Sequence, residues 1–359
     1  MKYILSGGGT GGHIYPALAI GEEIKKKDKT AKILYVGKKD SLEEELAEKY
    51  GFEFKGIDIS GLPRKKLNKD TVITIFNLLK GLNQSGKILK EFKPHIVIGT
   101  GGYVCAPIVF KAQQYNIKTV VQEQNAYPGK TNRILAKKAY MVFINFKEAE
   151  KYLDNQNIIY TGNPIRDDFS HIDREKSRRE LGILDDEKFV FSFGGSGGQE
   201  STNDAMIEIL NKYEKLPFKL VHITGREHYE DFMKRIVKLP SNVEIYDYTH
   251  KVSDYLASSD LVIASSSAMT LAEISAVGLA SILIPKAYTA GNHQYFNAKS
   301  YSDMGASEVI EEKDLNSEKL YNNILDILED KNKLQKMKEN SRKLASPGAV
   351  SQIVDNMIK

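Results

Sequence analysis

Twice in this 359-residue chain a short β-rich run ends in a loop made mostly of glycine, and each loop opens into a helical pattern. Residues 2–6 run into Gly7-Gly8-Gly9-Thr10-Gly11-Gly12, and residues 189–193 run into Gly194-Gly195-Ser196-Gly197-Gly198. Glycines let a backbone turn sharply and approach a ligand closely, and the following helix aims unpaired N–H groups and partial positive charge at that ligand. Phosphate is the natural guest. Around the first loop, β-rich segments at 3–6, 32–36, 52–57, 95–98, 118–122, 139–143 and 158–161 alternate with amphipathic stretches. The rhythm restarts at 188–193, 219–224, 243–246, 261–264, 281–285 and 307–310, with turn-forming Thr161-Gly162-Asn163-Pro164 between the two sets. Such alternation predicts α/β architecture with two parallel sheets, in line with about 150 residues per domain. Ligands of open parallel sheets lie beyond the carboxyl ends of the strands, so the site is expected in a cleft between two domains, lined by both loops.

Composition narrows the classes further. Hydrophobic residues make up 41% and charged residues 27%, which suits a globular chain. No apolar run reaches the roughly 20 residues of a membrane span, and the N-terminus enters a strand pattern directly, so neither signal peptide nor transmembrane helix is expected. The single cysteine, Cys105, makes no internal disulfide, and with seven scattered histidines there is no zinc-ligand spacing. Cytosolic placement fits, and Cys105 reads as a small buried side chain behind Gly101-Gly102-Tyr103.

The net charge of +4 conceals an asymmetry. Residues 1–160 carry 26 Lys and Arg against 16 Asp and Glu, a balance of +10, whereas 161–359 carry 25 against 31, a balance of −6. An anionic partner is therefore expected on the first half. Within it, segment 62–93 holds Arg64, Lys65, Lys66, Lys69, Lys80, Lys87, Lys90 and Lys93 against Asp70 and Glu91. The same segment encloses a helix pattern apolar on more than one face, through Val72, Ile73, Ile75, Phe76, Leu78, Leu79 and Leu82. Its surplus over one core stripe points to an anionic membrane surface, and burial between neighbours is the alternative. No motif for nucleic acid accompanies the charge.

Gly7, Gly9 and Gly12 also satisfy the G-x-G-x-x-G of a dinucleotide site. The position where NAD requires an acid, at the end of the second strand, carries Lys38 and Lys39. An NADP-binding oxidoreductase therefore stays open beside a phosphorylated substrate. His13, directly after the loop, sits where it would face the ligand and exchange a proton with it, or else bond a phosphate.

The motifs Gly8-Gly9-Thr10-Gly11-Gly12-His13 with Pro16, Gly101-Gly102-Tyr103-Val104, Glu123-Gln124-Asn125, Gly162-Asn163-Pro164-Ile165-Arg166, Gly194-Gly195-Ser196, residues 268–273 and Gln294-Tyr295-Phe296-Asn297-Ala298 span the chain in order. Together they resemble the MurG family, the peptidoglycan N-acetylglucosaminyltransferases of glycosyltransferase family 28. The resemblance implies a GT-B fold. Its two Rossmann-like domains would be an acceptor- and membrane-facing domain at 1–163, joined by a C-terminal helix at about 346–359, and a UDP-sugar domain at 164–345. It further implies inverting transfer of GlcNAc from UDP-GlcNAc to the 4-hydroxyl of MurNAc on a polyprenyl-pyrophosphate-linked acceptor, by a peripheral protein on the cytoplasmic face of the cell membrane.

In that scheme His13 is the catalytic base. Donor contacts fall to Thr10, Gly11, Gly12, Asn125, Arg166, Ser196, Thr249, Gln294 and the run Ala268, Met269, Thr270, Leu271, Ala272 and Glu273. Glu273 would hold the ribose hydroxyls, Asn125 and Gln294 the sugar hydroxyls, and Ser196 and Arg166 the diphosphate. Gly101, Gly102 and Tyr103 fall to the acceptor. No D-x-D occurs, so no cofactor or metal is expected on the diphosphate. Three positions depart from the family pattern: Gln122 where a His often stands, Gly197-Gly198-Gln199, and His293 where a glutamine is common. A diacylglycerol glycosyltransferase and a UDP-GlcNAc epimerase are the near rivals.

Overall fold

The structure, a computed structural model, describes residues 1–61, 69–165, 169, 172–195 and 197–358, with 69–71 as backbone only. Thirteen strands occur among the described residues, each within two residues of its expected position. The first seven are β1 (Lys2–Ser6), β2 (Lys32–Lys38), β3 (Glu53–Ile57), β4 (Ile96–Gly99), β5 (Lys118–Glu123), β6 (Met141–Ile144) and β7 (Ile158–Tyr160). They form one parallel sheet in the order β3-β2-β1-β4-β5-β6-β7. The remaining six are β8 (Phe189–Phe193), β9 (Lys219–Ile223), β10 (Val243–Tyr246), β11 (Leu261–Ala264), β12 (Ala280–Leu283) and β13 (Ser307–Val309). Their order, β10-β9-β8-β11-β12-β13, repeats that of the first sheet.

The reason for the pattern is burial. Strands β1, β4, β8, β11 and β12 carry apolar side chains that are nearly all buried, as parallel strands covered by helices on both faces require. The chain divides into two units, Met1–Ile165 with Gly348–Lys359, and Arg166–Pro347. In the first unit the last helix, Ala349–Ile358, returns to the helix Gly11–Lys27. Its Ile353, Val354 and Met357 join the core of Ile14, Leu18 and Ile24, and Lys27 pairs with Asp355.

Reversal of strand order creates the positions that matter for ligands. In each sheet the first strand lies between the second and the fourth, and an open α/β sheet binds ligands at the carboxyl ends of strands where the order reverses. For the first unit that place is the ends of β1 and β4, which lead into residues 7–12 and 100–103. For the second it is the ends of β8 and β11, which lead into residues 194–198 and 265–273.

The helix Lys69–Phe92 departs from ordinary amphipathicity. Its inward face is small and polar at first: buried Thr74 approaches the Gly61 carbonyl, and Asn77 donates to Ser60 Oγ at 3.2 Å. Its outward face carries Val72, Ile73, Ile75, Phe76, Leu78 and Leu79, all exposed, with Phe76 at 65% and Leu79 at 61%. Burial between neighbours therefore does not account for this surplus. Arg64, Lys65 and Lys66 lie outside the described residues, as does the side chain of Lys69.

Candidate functional site

The first switch point is built around His13. The helix Gly11–Lys27 begins within the glycine-rich run, with Thr10 as its extended N-cap, so His13 occupies its first turn. Thr100 clamps this turn from β4, its hydroxyl donating to the His13 carbonyl at 2.6 Å. The imidazole Nδ1 lies 2.9 Å from Gln124 Oε1 and 3.2 Å from the Thr100 carbonyl oxygen. Both neighbours accept, so Nδ1 donates, and in the neutral ring the lone pair is then on Nε2.

Gly101 and Gly102 make this approach possible. A Cβ on Gly101 would stand 2.8 Å from His13 Nδ1, and one on Gly102 would stand 1.9 Å from the Gly8 carbonyl oxygen. Both also adopt positive φ, +107° and +75°. Tyr103 covers the loop from the other side, its ring 3.1 Å from where a Gly9 Cβ would be. Thus the three residues expected at the acceptor are packed against the loop and the expected base. Beneath them Cys105 is fully buried, and burial pushes its thiol up to about 12, in keeping with the packing reading.

Two carboxylates brace the site from inside. Glu43, buried at the start of the helix Leu42–Lys49, accepts from the Gly9 N–H at 2.6 Å. Glu123 at the end of β5 accepts from the Asn125 backbone N–H at 2.9 Å and side chain at 3.1 Å, and from Gly129 N–H and Asn132 Nδ2 at 3.1 and 2.8 Å. Asn125, expected at the donor, therefore belongs to the first unit beside Gln124, with its Nδ2 engaged by Glu123. Sequence reasoning passed over Glu43, which sits in the run Glu43-Glu44-Glu45 and looks like ordinary helix-start charge.

At the second switch point the glycine loop is held down by its neighbours. A Cβ on Gly194 would meet Gln199 N at 2.4 Å, and one on Gly198 would meet the Thr224 carbonyl oxygen at 2.0 Å. The following helix spans Glu200–Lys212. Lys286 Nζ donates to the Gly198 carbonyl at 2.6 Å, and burial holds that ammonium below the usual lysine range. Glu312 gathers Gln199 Nε2, the Ser201 hydroxyl and the Ala287 N–H, bonds that hold its carboxyl below the usual range against the effect of burial. Neither Lys286 nor Glu312 was singled out from sequence, since each stands in a loop without motif context.

Beside this loop the helix Ala268–Val277 starts at Ser267, whose hydroxyl oxygen accepts from Thr270 N–H at 3.3 Å. Leu271 is fully buried, whereas Met269, Ala272 and Glu273 lie on the half-exposed face. Gly278 ends the helix in the left-handed region. Gln294 is buried, with its Oε1 accepting from Lys286 N–H at 3.0 Å and its carbonyl accepting from the Ser266 hydroxyl at 2.8 Å. Thr249, half-buried after β10, accepts from Lys251 N–H at 3.0 Å through its hydroxyl oxygen. Arg166 and Ser196 lie outside the described residues.

The site residues therefore fall into two groups: Thr10, Gly11, Gly12, His13, Gly101, Gly102, Tyr103 and Asn125 in the first unit, and Thr249, residues 268–273 and Gln294 in the second. Among the described residues no group of three or more His, Cys, Asp or Glu side chains is placed to hold a metal ion, and no helix is long and apolar enough to cross a membrane.

Known proteins resemble the chain along its whole length. The glycosyltransferase family 28 N-terminal domain matches residues 3–144, and the family 28 C-terminal domain matches 189–353. A Finegoldia magna protein named UDP-N-acetylglucosamine–N-acetylmuramyl-(pentapeptide) pyrophosphoryl-undecaprenol N-acetylglucosamine transferase is 46% identical, covering 100% of this chain and 98% of that protein. A Thermoanaerobacter sp. strain X514 protein of the same name is 44% identical over 98% of both. Among solved structures, Acinetobacter baumannii MurG superposes with a TM-score of 0.79 at 23% identity, covering 99% of each chain. The Neisseria meningitidis UDP-GlcNAc 2-epimerase bound to UDP-GlcNAc gives 0.71 at 12% identity, covering 100% of each. At such identities the structural likeness speaks for the fold, two Rossmann-like halves of GT-B type.

Proposed function

This chain belongs to glycosyltransferase family 28, and on that premise we propose that it transfers GlcNAc from UDP-GlcNAc to the 4-hydroxyl of MurNAc in undecaprenyl-pyrophosphoryl-MurNAc-pentapeptide, a step of peptidoglycan synthesis. The observation that carries the reading is the full-length match to transferases of that name in a chain whose His13 turns Nδ1 to Gln124 Oε1 at the first switch point. In the reaction His13 Nε2 takes the proton of the acceptor hydroxyl. The freed oxygen bonds to the anomeric carbon of GlcNAc, the bond from that carbon to the diphosphate breaks, and UDP leaves with the electron pair. Attack opposite the leaving group inverts the anomeric centre.

Donor recognition falls mainly to residues of the second unit. The half-exposed carboxylate of Glu273 suits two ribose hydroxyls, since a carboxylate accepts at both oxygens. The first turn of the helix Ala268–Val277 and the glycine loop at 194–198 offer N–H groups to the diphosphate, with Ser196 and Arg166 as further donors. Gln294, with its Oε1 already engaged, meets a sugar hydroxyl through its Nε2 hydrogens. Thr10, Gly11, Gly12 and Asn125 complete the donor contacts, and Gly101, Gly102 and Tyr103 shape the acceptor side. The outward apolar face of Lys69–Phe92, with its basic flanks, seats the protein on the anionic cytoplasmic face of the membrane where a polyprenyl-linked acceptor resides.

The test is transfer of label from UDP-GlcNAc to a polyprenyl-pyrophosphate-MurNAc acceptor, run beside diacylglycerol. Label on the first and none on the second is expected, and the reverse would make the chain a diacylglycerol transferase. Replacing His13 with Ala should lower kcat by about 100- to 10,000-fold, the range of a general base, with UDP affinity nearly intact. Unchanged kcat in that variant would remove His13 from the chemistry.

A further inference from the structure

The hydrogen bonds behind His13 run in one direction, and the backbone dictates which. Gln124 is buried, and its Nε2 faces the Thr100 carbonyl oxygen at 2.6 Å, the Gln122 carbonyl oxygen at 3.1 Å and Gln122 Oε1. Peptide carbonyls accept and never donate, so this amide is confined to the orientation with its NH2 on their side. Its Oε1 is thereby turned to His13 Nδ1. The pattern continues inward: Gln122, fully buried, accepts from Gln124 at Oε1 and donates through Nε2 to Asn163 Oδ1 at 3.0 Å. From His13 to Gln124, Gln122 and Asn163, every link donates away from the imidazole.

We propose that Gln124, backed by Gln122 and Asn163, is a positioning residue that holds His13 as the Nδ1–H tautomer and so presents Nε2 to the acceptor hydroxyl. The proposal rests on the reading of His13 as the base. Two physical effects combine. The ring is kept from the opposite tautomer, which free histidine prefers in water and which would offer the acceptor a proton instead of a lone pair. Aligned amides also polarise one another, so a negative carbonyl end faces Nδ1–H as positive charge develops on the ring. Thr100 alone is a poorer guide, since its carbonyl is farther away, at 3.2 Å, and is shared with Gln124 Nε2 at 2.6 Å. His95 in the same unit supplies a contrast: its Nδ1 accepts from the Lys2 N–H at 3.0 Å, so its proton sits on Nε2.

Nitrogen-15 spectra of the full chain with labelled histidine test this directly, in mildly alkaline buffer where free imidazole is neutral. The His13 signals, assigned by their loss in His13→Gln, should show Nδ1 protonated and Nε2 bare, with His95 reversed. In Gln124→Leu the His13 signature should move toward the Nε2–H form. That variant's kcat should fall about 10- to 100-fold, by analogy with the loss of an outer partner that orients a metal-bound imidazole, with KM for UDP-GlcNAc unchanged. Gln122→Met, one link farther away, should move both readouts in the same direction by less, and it decides the matter if Gln124→Leu does not fold. A protonated Nε2 on His13 in the unaltered chain, or a Gln124→Leu variant that folds and keeps both signature and kcat, overturns the proposal. The spectra need no substrate, so they stand even if the chain fails to transfer GlcNAc, an outcome that would sink the proposed function instead.

Discussion

His222 should make the second unit sensitive to mild acid. It lies on β9, fully buried, with Nδ1 2.9 Å from Ser192 Oγ and Nε2 3.0 Å from Asn203 Oδ1. Asn203 Nδ2 donates to the Thr224 carbonyl at 3.0 Å, which turns Asn203 Oδ1 to the ring and puts the histidine proton on Nε2. Burial alone pushes the imidazole down to about 3, against roughly 6.5 in an unfolded chain. A depressed folded value means that the unfolded chain binds the extra proton between these limits. Stability from the neutral ring is therefore fully present above about pH 6.5 and is lost as pH falls toward 3. The slope approaches about 1.4 kcal/mol per pH unit, so going from pH 7 to pH 5 removes about 2 kcal/mol. Urea unfolding at the two pH values, on the transition that UDP displaces, measures it. His222→Gln serves as reference, because carboxylates common to both proteins cancel in the difference. The unaltered chain should lose about 2 kcal/mol more than the variant. Equal losses would mean that the ring takes up its proton without unfolding, and the burial argument would fail.

Two further expectations concern binding. Glu273→Ala should raise KM for UDP-GlcNAc by about 10- to 100-fold with kcat little changed, since hydrogen bonds to a charged group contribute about 1.5–3 kcal/mol. An unaltered KM would return Glu273 to the solvated face of its helix. Phe76→Ser with Leu79→Ser should weaken sedimentation with anionic vesicles by 10-fold or more, on the basis of about 1.5–3 kcal/mol for each large apolar side chain buried. Their exposure means the fold should tolerate the change, and binding indifferent to both substitutions and to salt would exclude this face from the membrane.

Much of this protein is written locally. The strands, the two glycine loops and the helices they open were legible because each depends on a short run: apolar residues for a buried parallel strand, glycines for a close approach, a helix start directly after. The repeated order of elements then led to two sheets with parallel strands, and the motif spacing led to the family. Segment 62–93 was legible as an apolar and basic stretch, but which face it turns outward was not, because that depends on Thr74 and Asn77 finding partners at 60 and 61.

What only the tertiary structure decided is how the site is held. Glu43 reaches Gly9 across 34 positions, and His13 reaches Gln124 across 111. No sequence window contains such pairs. The strand order 3-2-1-4 brings β1, β4 and β5 side by side, and only then do Thr100 and Gln122 direct the Gln124 amide toward the ring. Sequence alone determined that a histidine follows a phosphate-type loop; which of its nitrogens is turned to hydrogen-bond acceptors is a property of carbonyls that the fold gathers around it.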